Sequence, residues 1–271
     1  MLEGDPALHE FLEHVLERDG RSLQWVYEGA EALKRLRAEP YDLVVAAPAT
    51  NGSDGVKLLR RVHALRPDTK VILTGDRNPA RALAAIRARA YGYVHQPFSP
   101  LHLTEMVQQA LDSASWRDDL QLISARPEWT TLNVRCRLHA AERALHLVRE
   151  LMADLDGALA EDILAAFREL LMNGIEHGAG SDPNKRVRVA VLRLADRIMV
   201  YLRDPGKGFS LEEISHAAVC NPDDSPTRHI EIRAEHGQRP GGFGILMASN
   251  LVDELLYNER GNEVFFVKKL K

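Results

Sequence analysis

Glu169, Asn173 and His177 stand four residues apart in ELLMNGIEHG, residues 169–178. On a helix that spacing sets a carboxylate, an amide and an imidazole along one face. An amide oxygen is a hard ligand suited to Mg²⁺, and a carboxylate takes a proton or orients a water. Further on, DPGKGFS (204–210) puts Asp204 ahead of Gly206 and Gly208. The carboxylate is an acceptor for an exocyclic amine, and the two glycines let the backbone come close to a flat ligand. In RPGGFGILMASNLVDEL (239–255), glycines 241, 242 and 244 immediately precede a helical pattern. Backbone N–H groups at such a helix start, aided by the helix dipole, suit a phosphate. The loop lacks the GK[ST] of a Walker A motif and is not a dinucleotide fingerprint. Taken singly, the three read equally well as a polar helix seam, a tight turn and a glycine-rich helix entry.

Each group needs an element to hold it. Glu161–His177 is a strongly apolar helical pattern that would carry the first set. Arg186–Leu194 and Arg197–Arg203 read as a hairpin turning at ADR, with Val187, Val189 and Val191 on one face, and it delivers Asp204 to a strand end. Leu132–Leu138 alternates like a strand, Ala140–Leu155 is a helical pattern, a helix is expected from about Gly244 to Leu255, and EVFFVKKL is a last strand. Helices with antiparallel strands in this mixture predict an α+β half, helices stacked on one face of a sheet. The polar stretch 210–238 between the two glycine loops suits a mobile lid.

The first ~110 residues follow a different rhythm. Helical patterns at Pro6–Arg18, Ala30–Ala38, Val56–Leu65, Pro79–Ala88 and Leu101–Ala114 alternate with strand patterns at Leu23–Tyr27, Leu43–Val45, Lys70–Thr74 and Tyr91–His95. That alternation predicts an α/β domain with a doubly wound parallel sheet. The domain boundaries are therefore set at 1–115 and 128–271, with 116–127 as linker.

Composition bounds what such a chain does. It has 271 residues, 45% of them hydrophobic and 27% charged, with a formal net charge of -4. That balance gives no reason to expect nucleic acid or an acidic membrane as a partner. The cysteines, Cys136 and Cys220, lack metal spacing and read as thiols of a reducing compartment. Without a signal-like start or an apolar run of about 18 residues, a cytoplasmic protein is expected.

In order and spacing, ELLMNGIEHG, DPGKGFS and RPGGFG together resemble the three nucleotide boxes of the GHKL ATPase superfamily, which has the Bergerat fold. The second half looks most like the anti-sigma-factor serine kinases. The resemblance implies ATP and Mg²⁺ as cofactors, Asn173 as the Mg²⁺ ligand and Glu169 as general base. It implies Asp204 on the adenine amine, with Gly206 and Gly208 shaping that pocket, and Gly242 and Gly244 on the phosphates. Arg239, by charge and position, is a candidate to steady the γ-phosphate; His177 is more often structural at its position. A sigma factor or a small antagonist protein would be the partner, and resemblance suggests a homodimer. The alternative readings are an ATP-gated binding switch that transfers no phosphate, and a scaffold in which both halves are degenerate.

The first half resembles a response-regulator receiver over DPALHEFLEHVLERDG, YDLVVAAPATNGSDGVKLLRRV, KVILTGD and AYGYVHQPFSP. A working receiver needs an acidic pair, an acceptor aspartate, a hydroxyl and a lysine. Here Glu3 keeps one acid, Gly4 replaces the other, Ala47 replaces the acceptor, Thr74 keeps the hydroxyl and Gln96 replaces the lysine. Alanine offers no nucleophile and glutamine neutralises no phosphoryl charge, so the resemblance implies a pseudo-receiver used for docking or regulation. Asp54 lies too far along the loop to be a natural substitute. Only Met1 and Leu2 precede Glu3, so the first apolar strand is missing from the pattern. In a doubly wound sheet that strand sits in the middle, and its neighbours would face unpaired edges.

Overall fold

The computed structural model describes residue 13 and residues 21–47, 55–208 and 244–270. The chain forms two compact units, one of Met1–Arg117 with Glu150–Asp154, the other of Asp118–Arg149 with Leu155–Lys271.

The described part of the first unit runs α1 (Gly29–Ala38), β1 (Leu43–Ala46), α2 (Gly55–Leu65), β2 (Lys70–Gly75), α3 (Pro79–Arg87), β3 (Gly92–His95) and α4 (Pro100–Asp112). The strands form a parallel sheet in the order β1-β2-β3. The register pairs Val45 with Ile72 and Leu73 with Tyr93. β2 is central and buried from Val71 to Gly75, and its apolar run Val71–Leu73 is what a sheet covered on both faces requires. Helix starts are chemically marked. The Asn78 side chain accepts from the N–H groups of Ala80 and Arg81 at 3.0 and 3.3 Å, and Pro79 and Pro100 take first-turn positions where a missing N–H costs nothing.

The expected strand at Leu23–Tyr27 does not form: residues 21–28 lie in no strand. Instead, a cavity of about 610 Å³ is bordered both by this segment, through Leu23 and Trp25, and by β1, through Val44 and Ala46. Leu58 and Leu103 also line it. Apolar alternation alone does not make a strand, because strand hydrogen bonds need a neighbour at ~4.8 Å, and among the described residues no strand pairs with this segment.

The second unit runs β4 (Leu120–Arg126), β5 (Trp129–Arg135), α5 (Leu138–Leu151), α6 (Gly157–Asn173), a π-helical turn (Gly174–Gly178), β6 (Arg186–Arg193), β7 (Arg197–Arg203), α7 (Gly244–Leu251), β8 (Glu254–Tyr257) and β9 (Glu263–Lys269). Its six strands form an antiparallel sheet ordered β4-β5-β6-β7-β9-β8. Register stacks one apolar face: Leu132 opposes Val189, Val189 opposes Leu202, and Leu202 opposes Val264. One row along, Val191 opposes Val200, and Val200 opposes Phe266. All seven residues are buried, and α6, whose Phe167 is fully buried, lies against β7, β9 and α7.

Several boundaries differ from expectation. Residues 120–126, read as linker, are strand β4, whose partner β5 lies a tight turn away. Leu138 starts α5 rather than ending a strand. α6 begins at Gly157, four residues before the apolar pattern, because Asp156 caps it through the Ala158 N–H at 3.0 Å. The expected helix to Leu255 stops at Leu251, and Glu254–Tyr257 pairs with β9 as strand β8.

Candidate nucleotide site

α6 positions Glu169 and Asn173, both half-buried, on successive turns. The next turn departs from the sequence expectation. From Gly174 the chain closes at longer range, Ala179 N–H reaching Gly174 O at 2.9 Å and Ser181 N–H reaching Ile175 O at 2.8 Å. Such a turn is underwound, so four-residue spacing no longer keeps one face, and His177 is exposed.

The wide turn delivers Gly178 to Asp204. A Cβ on Gly178 would lie 2.3 Å from the Asp204 carboxyl carbon, and one on Gly206 would lie 2.5 Å from the Gly178 carbonyl oxygen. Only glycine permits this close packing of the 174–178 turn on the loop after β7. The Gly206 N–H donates to Asp204 Oδ1 at 2.7 Å. A carboxylate has acceptor capacity beyond that one bond, so Asp204 can also accept from a ligand amine. Burial raises the Asp204 carboxyl above its ordinary range, while the Gly206 N–H and the Arg260 charge act in the opposite direction. Half-buried Tyr257 on β8 feels the same group: burial first, then the Asp204 charge, pushes its phenol up.

α7 meets α6 at its first residue. A Cβ on Gly244 would lie 2.8 Å from Glu169 Oε2, 3.6 Å from Asn173 Nδ2 and 3.8 Å from Asn173 Oδ1. The start of a helix, where free N–H groups and the positive end of the dipole gather, thus adjoins an amide and a carboxylate. Lys268 holds α7 in place: its Nζ donates to Leu251 O at the helix end and to Asp162 Oδ2 of α6, both at 2.7 Å.

The three sequence segments therefore converge. Glu169, Asn173 and Gly244 meet at one end, and Asp204, Gly206 and Gly178 meet at the other, joined by the 173–178 turn. Residues 132–268 match the family described as the histidine kinase-like ATPase domain. The chain belongs to that family. Its first part, residues 1–108, matches the response regulator receiver domain, so a receiver domain is fused to an ATPase domain.

Curated relatives match about two-fifths to a half of the chain. The C4-dicarboxylate transport transcriptional regulatory protein DctD of Rhizobium meliloti is 30% identical over 111 residues, 41% of this chain and 24% of that protein. The uncharacterized transcriptional regulatory protein YcbL of Bacillus subtilis is 27% identical over 118 residues, 42% of this chain and 51% of that protein. The chain thus spans between a quarter and a half of the length of these relatives. Among solved structures, a response regulator from Thermotoga maritima is 28% identical with a TM-score of 0.37, covering 40% of this chain and 92% of that one.

In the receiver domain, Ala47, Thr74 and Gln96 fall at the carboxyl ends of β1, β2 and β3, where open parallel sheets place their ligand groups. Ala47 and Thr74 are buried, and among the described residues Thr74 Oγ1 has no hydrogen-bond partner. The Gln96 N–H donates to Gly75 O at 2.6 Å. Glu3, Gly4 and Asp54, like Arg239, Gly241 and Gly242 of the ATPase domain and the proposed lid, lie outside the described residues.

The sequence alone does not single out Gly178, Tyr257 or Asn262 as parts of the site. Gly178 closes the quoted ELLMNGIEHG, and its glycine was the available signal. Tyr257 and Asn262 gave none, since strand pairing brings them to Asp204. Among the described residues no cluster of three or more His, Cys, Asp or Glu forms a metal cage, and no helix is long and apolar enough to cross a membrane.

Proposed function

We propose that the ATPase domain binds ATP with Mg²⁺ and transfers the γ-phosphoryl group to a serine or threonine of a partner protein, as an anti-sigma-type kinase. The receiver domain, unable to accept a phosphoryl group, serves docking or regulation. The observation that carries this reading is the placement of Gly244 against Glu169 and Asn173. A phosphate held at the start of α7 would sit beside one carboxylate and one amide oxygen.

The donor set fits the metal as well as the nucleotide. Mg²⁺ keeps several waters and binds through one or two protein oxygens plus substrate phosphates rather than in an all-protein cage. Asn173 Oδ1 would be that protein oxygen. Bound there, the ion would neutralise charge on the phosphates. The chain's own groups do the rest by positioning. Gly244 leaves room for the phosphates, the α7 N–H groups hold them, and Glu169 accepts the proton of the incoming hydroxyl. Asp204 Oδ2 accepts from the adenine amine, with Oδ1 held by Gly206. In the receiver, Ala47 supplies no nucleophile at the end of β1.

The partner would be a sigma factor or an antagonist protein of one. Incubation with γ-labelled ATP, Mg²⁺ and candidate antagonists is expected to label serine or threonine on one of them, and Glu169→Ala is expected to abolish the label. Equal labelling by that variant would remove the base role. ATP binding without transfer to any partner would favour the switch reading instead.

A further inference from the structure

Asp204 is an acceptor in the candidate base pocket able to tell an amino from a keto edge, and its position is set from another part of the chain. The turn Asn258–Asn262 joins β8 to β9. Asp204 N–H donates to Asn262 O at 3.0 Å, and Asn262 Nδ2 donates back to Asp204 O at 3.4 Å. Asn262 is buried, 5% exposed, and Asp204 half-buried, so this exchange is partly shielded from water. The far end of the loop is tied to the same turn. Arg260 Nε donates to Lys207 O at 3.0 Å, and Gly208, at φ 85°, packs so tightly on the turn that a Cβ there would lie 1.7 Å from Arg260 O.

The turn is locked from within by Asn258. Its Oδ1 accepts from the N–H groups of Asn262 and Glu263, both at 3.1 Å, and its Nδ2 donates to Asn262 Oδ1 at 3.1 Å. Occupying Asn262 Oδ1 in this way fixes the amide so that Nδ2 faces Asp204. Asn258 N–H donates to Glu263 O and Gly261 N–H to Asn258 O, both at 3.0 Å. Three hydrogen bonds and one close backbone contact thus tie the Asp204–Gly208 loop to this single turn at both ends.

We propose that the Asn258–Asn262 turn is the base-specificity element of the nucleotide site, with Asn262 the positioning residue for Asp204 and Asn258 the residue that orients Asn262. The proposal rests on the ATP-binding reading above and adds the origin of adenine selectivity. Asp204 rejects a keto edge only while its Oδ2 is held at a fixed place; a loosened loop lets the base slide, and the triphosphate contacts near Gly244 then bind adenine and guanine nucleotides alike.

The test is titration of the full chain with ATP·Mg and with GTP·Mg, for wild type, Asn262→Ala, Asn258→Ala and Asn258→Asp, each first verified as folded by circular dichroism. Asn262→Ala and Asn258→Ala are expected to weaken ATP by about tenfold, the size of one buried hydrogen bond, with GTP affinity unchanged, so that the ATP-to-GTP ratio collapses. Asn258→Asp keeps the acceptor for the two N–H groups but removes the Nδ2 donor that orients Asn262, and is expected to weaken ATP about as much as Asn258→Ala, again with GTP unchanged. A general structural role would weaken both nucleotides equally and leave the ratio alone; that result overturns the proposal, as does an unchanged ATP affinity in both alanine variants. If Asn262→Ala fails to fold, the Asn258 pair decides. Failure of wild type to bind ATP removes the nucleotide reading and this proposal together, whereas ATP binding with unaltered selectivity removes this one alone.

Discussion

A methyl group on Gly244 would stand 2.8 Å from Glu169 Oε2, closer than side-chain carbon and carboxylate oxygen tolerate. The atom in the way is the far end of a flexible side chain, so Glu169 would swing aside and the fold would survive. Gly244→Ala is therefore expected to leave the melting temperature nearly unchanged while ATP affinity and phosphoryl transfer fall by at least about tenfold. Gly208→Ala is the opposite case. Its methyl would meet the Arg260 carbonyl at 1.7 Å on a backbone at φ 85°, and neither yields. A loss of about 1–3 kcal/mol from the backbone conformation alone is expected in urea unfolding. Equal stability of the two variants would contradict this contrast.

Burial holds the Asp204 carboxyl above its ordinary value of 3.8, so the folded chain binds that proton more tightly than the unfolded chain. The sign follows from linkage: the favourable contribution is present below the ordinary carboxylate range and is lost as pH rises through the raised folded value. At neutral pH the desolvated charge therefore opposes folding. Asp204→Asn keeps an acceptor for the Gly206 N–H and removes the charge. It is expected to raise the melting temperature at pH 7, to flatten the loss of stability above pH 4, and to weaken ATP binding. Melts across pH, with and without ATP, check all three.

Ala47→Asp restores an acceptor at the end of β1 but supplies neither the second acid at Gly4 nor a cation at Gln96. The phosphoryl charge would stay unneutralised beside the buried Thr74 hydroxyl. No stable labelling of this variant by acetyl phosphate is expected. A labelled aspartate at position 47, located by mass spectrometry, would overturn the pseudo-receiver reading.

Cys136 is fully buried and burial pushes its thiol up to about 11. Thiolate is the reactive form. Alkylation of the native chain at pH 8 followed by peptide mapping is expected to leave Cys136 unmodified, with modification appearing on denaturation.

Much of this arrangement was legible in the residues. The alternation of Val187, Val189 and Val191 announced β6 because one face of an antiparallel sheet is buried and the other is not. The four-residue step from Glu169 to Asn173 announced a shared helix face. That reading failed at His177, since nothing in GIEHG states that the turn closes at longer range; Gly178 packing on Asp204 settles it, and that contact lies 26 residues away in sequence. β4 and β8 were missed for a related reason. Leu120–Arg126 and Glu254–Tyr257 are edge strands of the sheet, half-exposed, and their strand character comes from the neighbour they join. Leu23–Tyr27 failed in the opposite sense: the pattern is there, and among the described residues no strand pairs with it. The support of Asp204 by Asn262 was invisible because main-chain pairing across two strands creates it.

The central claim is that the end of α6, the loop after β7 and the start of α7 form one nucleotide site. Isothermal titration of the full chain with ATP, with and without Mg²⁺, tests it most directly, set beside Asn173→Ala. Saturable ATP binding by wild type that strengthens with Mg²⁺, and loss of that strengthening in the variant, is the predicted result. No ATP binding by folded wild type, or an Asn173→Ala variant with undiminished Mg²⁺ dependence, would contradict it.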